Sequence, residues 1–109
     1  MATTAKPQTP ALLTAAAATY YTVTSGTVGN VKEIIFCNTT PLAKRVNVHF
    51  VPVSASATST NLVINSVEIA SGTTVRFPFN TDLEGGATVQ AFSNAANVIS
   101  IRVSAVEYT

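Results

Sequence analysis

The sequence predicts an all-β protein: a single antiparallel β-sandwich, jelly-roll or Ig-like, of about seven or eight short strands behind an extended N-terminal arm. Three observations point there. Runs rich in Val, Ile, Thr, Tyr and Phe recur at roughly 8–12-residue spacing between Gly, Pro, Asn and Ser signals. Several runs alternate apolar and polar residues with period two. No amphipathic helical stretch of useful length competes. The composition agrees, with 47% hydrophobic and 10% charged residues in 109. Ser and Thr supply about a quarter of the chain, and Thr and Val both suit a pleated, half-buried surface. At this length the chain is one domain with room for a real core. It divides into an arm over 1–18, extended or partly helical, and a sandwich over 19–109.

The first ten residues, MATTAKPQTP, are polar, contain two prolines and show no periodicity. They read as an extended arm that needs something to tie it down. ALLTAAAA (11–18) is too short for a stable helix and reads as one helical turn or a lead into the first strand. TYYTVT (19–24) is β-branched and aromatic and closes at Ser25-Gly26. VKEIIFCN (31–38) ends at Thr39-Thr40-Pro41. RVNVHFVPV (45–53) alternates, with Val46, Val48 and Phe50 opposite Asn47 and His49. Pro52 places an edge or a bend there.

SASATST (54–60) is a loop. NLVINSVEIAS (61–71) is one strand, or two split near Asn65-Ser66. TTVRFPFN (73–80) turns Val75, Phe77 and Phe79 one way and Arg76 and Pro78 the other, Pro78 again marking an edge. TDLEGG (81–86) reads as a turn. ATVQAFS (87–93) and NVISIRVSAVEYT (97–109) are expected to pair across SNAAN, and PLAK is the turn if 31–38 and 45–53 form a hairpin.

Several function classes drop out. The net charge is +1, and of six basic residues only Lys44 and Arg45 are adjacent, which leaves no footprint for nucleic acid. No run is long enough to span a bilayer. Two leucines among alanines make a feeble signal-peptide core, so export by that route is not expected. One cysteine allows no internal disulfide. Cys37 and His49 are the only Cys and His, and no basic setting for a thiolate is visible. Five separated carboxylates lack metal-ligand spacing. The chain is therefore expected to be no enzyme and to carry no metal or cofactor.

Asn38-Thr39-Thr40 matches a glycan-acceptor pattern. Without a secretory signal it reads better as the turn that ends a strand, where Asn and Thr bond nearby backbone ahead of Pro41. In VKEIIFCNTTP, Val31, Glu33, Ile35 and Cys37 share one face, and Lys32, Ile34, Phe36 and Asn38 the other. Apolar residues fall on both, as in a strand covered twice, by the core and by a partner or arm. The expected interaction residues are Lys6, Pro7 and Pro10 in the arm, with Tyr20, Ile34 and Phe36 on the sandwich. The sparse charge suits a surface that other subunits cover.

TVTSGTVGNVKEIIFCNTT followed by RVNVHFVP resembles a recurrent pattern in small virion structural proteins of tailed bacteriophages. NLVINSVEIASGTTVRF, Leu83 to Gly86 and Ser104 to Glu107 extend the resemblance over roughly residues 19–107. It implies a β-sandwich assembly component of the decoration, head or tail accessory type, with no catalytic residues. Together with the low charge, the arm and the lack of a catalytic constellation, it leads us to expect a capsid decoration (cement) protein, bound through arm and sandwich to the major capsid or tail protein and to copies of itself, with trimers the natural arrangement on a symmetric shell. Its place would be the virion, assembled in the host cytoplasm. The alternatives are a tail, baseplate or fibre component, or a receptor- or carbohydrate-binding module. The last would need Tyr20 or Tyr108 clustered with loop asparagines such as Asn61 and Asn94.

Overall fold

The computed structural model describes residues 3–6, as backbone, and 11–109. Nine strands follow in order: β1 (Thr3–Lys6), β2 (Ala11–Leu12), β3 (Ala18–Thr22), β4 (Val28–Asn38), β5 (Lys44–Val51), β6 (Leu62–Ile69), β7 (Thr74–Glu84), β8 (Thr88–Ser93) and β9 (Ile99–Tyr108). A single 3-10 turn, Ser59–Asn61, precedes β6, and no α-helix occurs among the described residues. In the first sheet β1 and β2 both lie along β9, which pairs with β4, which pairs with β7; the second sheet runs β3-β8-β5-β6.

With β1 and β2 counted as one interrupted strand, the pairings nest: β1/β2 with β9, β3 with β8, β4 with β7, and β5 with β6, all antiparallel. This is one long hairpin rolled up until β9 meets β4 and β8 meets β5. Of the two sandwiches the sequence allows, the chain adopts the jelly roll.

Rolling explains where local reading failed. Neither the expected β8–β9 hairpin nor a β4–β5 hairpin through PLAK forms, because each of those connections crosses from one sheet to the other. Period-two patterning says which residues face the core but not which strand lies alongside. The expected turn at 81–86 is shorter, since β7 continues to Glu84 with Thr81 and Leu83 still alternating inward. Only Gly85 and Gly86 remain to turn, and Gly86 has φ +88°. ALLTAAAA supplies β2 and then a bend, with no helical turn.

Other expectations hold. Val46 and Val48 are fully buried, and β7 with its Pro78 is an edge strand. Residues 62–69 form one strand, with Ser66 at φ +50° where the register against β5 shifts. Asn47 Oδ1 accepts the Ser66 N–H at 2.9 Å, which secures that bulge.

The core lies between the sheets. Leu13, Val31, Ile34, Phe36, Val46, Val48, Ile69, Val89 and Ile99 are all 0% exposed. Phe36 meets Phe77 edge-on at 5.8 Å, and Phe50 meets Phe79 at 5.1 Å, the geometry that ring quadrupoles favour.

Candidate functional site

At one end of the roll β4 hands over to β5 through Thr39–Ala43, and Asn38 builds that corner. Its side chain is 0% exposed. The amide Nδ2 donates to the Leu42 and Ile69 carbonyls, each at 2.9 Å. Oδ1 accepts from the Thr40 N–H at 2.9 Å and the Thr40 hydroxyl at 2.7 Å. Every hydrogen-bonding site of the amide is used, so Asn38 is the turn-former the sequence suggested and has no surface for a glycan. Because the Leu42 carbonyl is pinned inward, its side chain is held out, 64% exposed. Lys44 and Arg45 follow at once in β5. Arg76 and Arg102 both stand opposite Ile35 near this end.

The other end is acidic and concave. Phe50, Pro52, Leu83 and Ala87 line a shallow cleft of about 240 Å³ with Asp82 and Glu84 on its rim. Glu84 Oε1 accepts the Val53 N–H at 3.1 Å, which holds the loop after β5 against the rim. Asp82 Oδ1 accepts from Asn30 Nδ2 at 2.8 Å and from the Tyr108 hydroxyl at 2.8 Å. Those hydrogen bonds, Asn30 first, hold the Asp82 carboxyl below its ordinary range. The same contact raises the Tyr108 phenol above its usual value. Asn30 Nδ2 also donates to Asn80 Oδ1 at 3.0 Å, while its own Oδ1 is buried without a partner. Flipping the amide would set oxygen against two oxygens, so the orientation is fixed by its neighbours.

Between the ends, the outer face of the first sheet carries Glu33 of β4, Arg76 of β7 and Arg102 of β9. Ile35 and Cys37 of β4 point outward, half-buried, with Thr74 and Ser100 beside Cys37. Arg76 pairs with Glu33 at 2.6 Å. Cys37 is a free thiol. Among the described residues no group of three or more His, Cys, Asp or Glu comes together. No helix there is long and apolar enough to cross a membrane.

The residues expected to meet a partner fall in different places. Ile34 and Phe36 are a correction: both are 0% exposed, because the register of β4 turns them toward the second sheet. The outward face of that strand belongs to Glu33, Ile35 and Cys37. Tyr20 is half-buried and used internally, its hydroxyl donating to the Leu12 carbonyl at 3.1 Å and accepting the Thr14 N–H at 3.2 Å. Lys6 stands in β1 opposite Ala105. Pro7 and Pro10 lie outside the described residues.

The asparagines named for a carbohydrate site are occupied as well. Asn61 Oδ1 lies 2.9 Å from His49 Nδ1, and Asn94 Oδ1 accepts the Arg45 N–H at 3.0 Å. Sequence reasoning missed Leu42 and the cleft. An apolar residue inside a turn, between Pro41 and Lys44-Arg45, was the available signal for the first. The cleft had none, since its walls come from β5, β7 and the turn into β8.

The fold therefore defines the chain as a jelly-roll β-sandwich with apolar residues displayed at its ends. No family model matches the sequence, and no curated protein does. Solved structures do resemble it. One is a protein of Bacillus endospore appendages, described as a novel family of disulfide-linked pili. Its TM-score is 0.55 at 16% identity, over 100% of this chain and 91% of that one. Another is a chain of the T13 IBDV viral particle, with TM-score 0.54 and 11% identity, over 97% of this chain. The match spans 30% of that longer chain. At such identities the likeness is one of fold.

Proposed function

We propose that the chain is a non-catalytic structural subunit of a virion, and specifically a capsid decoration protein of a tailed bacteriophage that binds the head and its own copies. The observation that carries this is the display of apolar side chains on a rigid frame. Leu12, Leu42, Val53 and Val63 stay 43–64% exposed on a chain with only 10% charged residues. Contacts with other proteins would cover them. The resemblance of residues 19–107 to phage virion proteins supports the reading. So does the occurrence of this fold in a pilus and in a virus particle.

Electron microscopy of particles made with and without the chain tests the proposal. The expected result is extra density on the head, lost without the chain and restored by adding it purified, together with a shell that releases its contents at lower temperature when bare. Density on the tail, baseplate or fibre instead would move the subunit there. Particles with unchanged density and unchanged heat resistance would remove the decoration role.

A further inference from the structure

The two ends of the roll match each other. Strand β7 runs from Thr74 at one end to Glu84 at the other, about 33 Å at about 3.3 Å per residue, in a molecule 46 Å long. The Leu42 corner therefore lies far from the Phe50–Leu83 cleft of the same chain. No chain can fill its own cleft with its own Leu42.

One end is convex, with Leu42 64% exposed and Lys44 and Arg45 directly behind it. The other is concave and apolar, with Asp82 and Glu84 on its rim. Arg102 adds to the basic end, whereas Arg76 is already paired with Glu33; at the acidic end Glu107 is buried and Lys32 acts on Asp82. Glu68 stands opposite Arg45, so the contrast between the ends rests on Lys44, Arg45 and Arg102 against Asp82 and Glu84. The knob is also set in advance: the four hydrogen bonds of Asn38 hold the corner that carries Leu42, so little ordering cost remains on binding.

We propose that Leu42 of one copy seats in the cleft formed by Phe50, Pro52, Leu83 and Ala87 of a second copy, with Lys44 and Arg45 against Asp82 and Glu84. This deepens the assembly reading and rests on it, since it names the surface through which copies meet. The contact is heterologous: knob and cleft are different surfaces, so each subunit still has one of each to offer. Such contacts close into a ring, a trimer for instance, where the rotation allows, and otherwise run on as a string. The apolar anchor supplies affinity and the charged rim sets orientation and salt dependence.

Sedimentation of the full chain over a concentration series, at low and high salt, is the test. The chain is expected to associate reversibly, and less so at high salt. Leu42→Ser and Pro52→Arg, both at exposed positions, are each expected to weaken association at least about tenfold with unchanged melting. That factor corresponds to about 1.4 kcal/mol. Mixed together, the two variants are expected to form dimers and stop, because one retains the cleft and the other the knob.

A chain that stays monomeric, variants that associate like the parent, or a mixture that forms no dimer each overturn the contact. The particle experiment separates the two claims. If Leu42→Ser still loads onto the shell while the parent's self-association survives both substitutions, the end-to-end contact fails and the assembly reading stands. If the chain pairs end to end and adds nothing to any particle, the reverse holds.

Discussion

Tyr21 and Glu107, 86 positions apart, meet through a hydrogen bond of 2.5 Å from the phenol to Glu107 Oε2 in the buried interior. Tyr21 is in β3 of the second sheet and Glu107 in β9 of the first, so this bond closes the roll from one sheet to the other. Glu107 is 3% exposed, and its carboxylate also accepts the Thr24 N–H at 3.1 Å and the Thr27 hydroxyl at 3.4 Å. A carboxylate survives such burial only where donors replace water. Tyr21→Phe removes one donor and leaves the others in place. We expect a loss of about 1–3 kcal/mol, read as a lower urea midpoint with an unchanged slope.

The same pair sets a pH dependence. Burial, then the hydrogen bond to Glu107 and the repulsion of its charge, raise the Tyr21 phenol well above its ordinary value of 10.0. A group whose pKa is raised by folding contributes stability that is complete below its unfolded pKa and is lost as pH climbs toward the folded one. The fold is therefore expected to weaken above about pH 10. Tyr108, raised by Asp82, acts in the same direction. Denaturation measured from pH 8 to 11.5 checks this. Tyr21→Phe should flatten the alkaline fall, and an equally steep fall in that variant would count against the assignment.

Gly29 makes room for this bond. It stands directly opposite Glu107 in the sheet, and a Cβ there would sit 2.8 Å from Val23 Cγ2 and 3.1 Å from the Tyr21 hydroxyl. Val23 is 1% exposed and has nowhere to move. Gly29→Ala is expected to cost about 1–3 kcal/mol through overpacking, although alanine suits a strand better than glycine. A melting temperature at or above the parent's would show that the corner yields.

How much of this could be read from the sequence differs by element. Alternation alone placed Val75, Phe77 and Phe79 inward and Pro78 on an edge strand, because side-chain direction in a strand is local. The fold class followed from the same pattern. The sheet switches between β4 and β5 and between β8 and β9 did not, since a strand with apolar residues carries no label for its neighbour. For the same reason Ile34 and Phe36 were read as partner-facing. Both faces of β4 are apolar, and only pairing with β9 and β7 decides which face is inside. The Leu42 knob is visible in the sequence as an odd turn residue, but the cleft exists only once the roll is closed.

Asn38 offers a sharper test of the corner. Asn38→Asp keeps the acceptor toward Thr40 but removes both donors, leaving the Leu42 and Ile69 carbonyls without those partners beside a buried charge. Asn38→Ala removes all four bonds with no charge added. Both are expected to destabilise by about 2–4 kcal/mol, with Asp the worse of the two near pH 7 and improving as the pH is lowered. Thermal melts at pH 7 and pH 4.5 separate the effects. Equal losses for Asn38→Asp at both pH values would mean that the lost donors, and not the added charge, set the cost.

His49 controls the long loop between β5 and β6. Its ring is 6% exposed and stacks on Phe92 with centroids 6.1 Å apart. Nδ1 lies 3.0 Å from the Thr58 carbonyl and 2.9 Å from Asn61 Oδ1. Both are acceptors, since Asn61 uses its Nδ2 on the Ser56 carbonyl at 2.9 Å, so Nδ1 carries the hydrogen. The ring thus clips the Thr58–Asn61 end of this loop onto the second sheet. His49→Leu preserves the apolar cover but loses the clip. We expect native-state proteolysis between Pro52 and Asn61 to speed up about tenfold, the factor for a loss of about 1.4 kcal/mol in local opening. Because both sheets remain paired, the global melting temperature should fall by only a few degrees. Cleavage at the parent's rate would show that the loop is held by its own 3-10 turn instead of by His49.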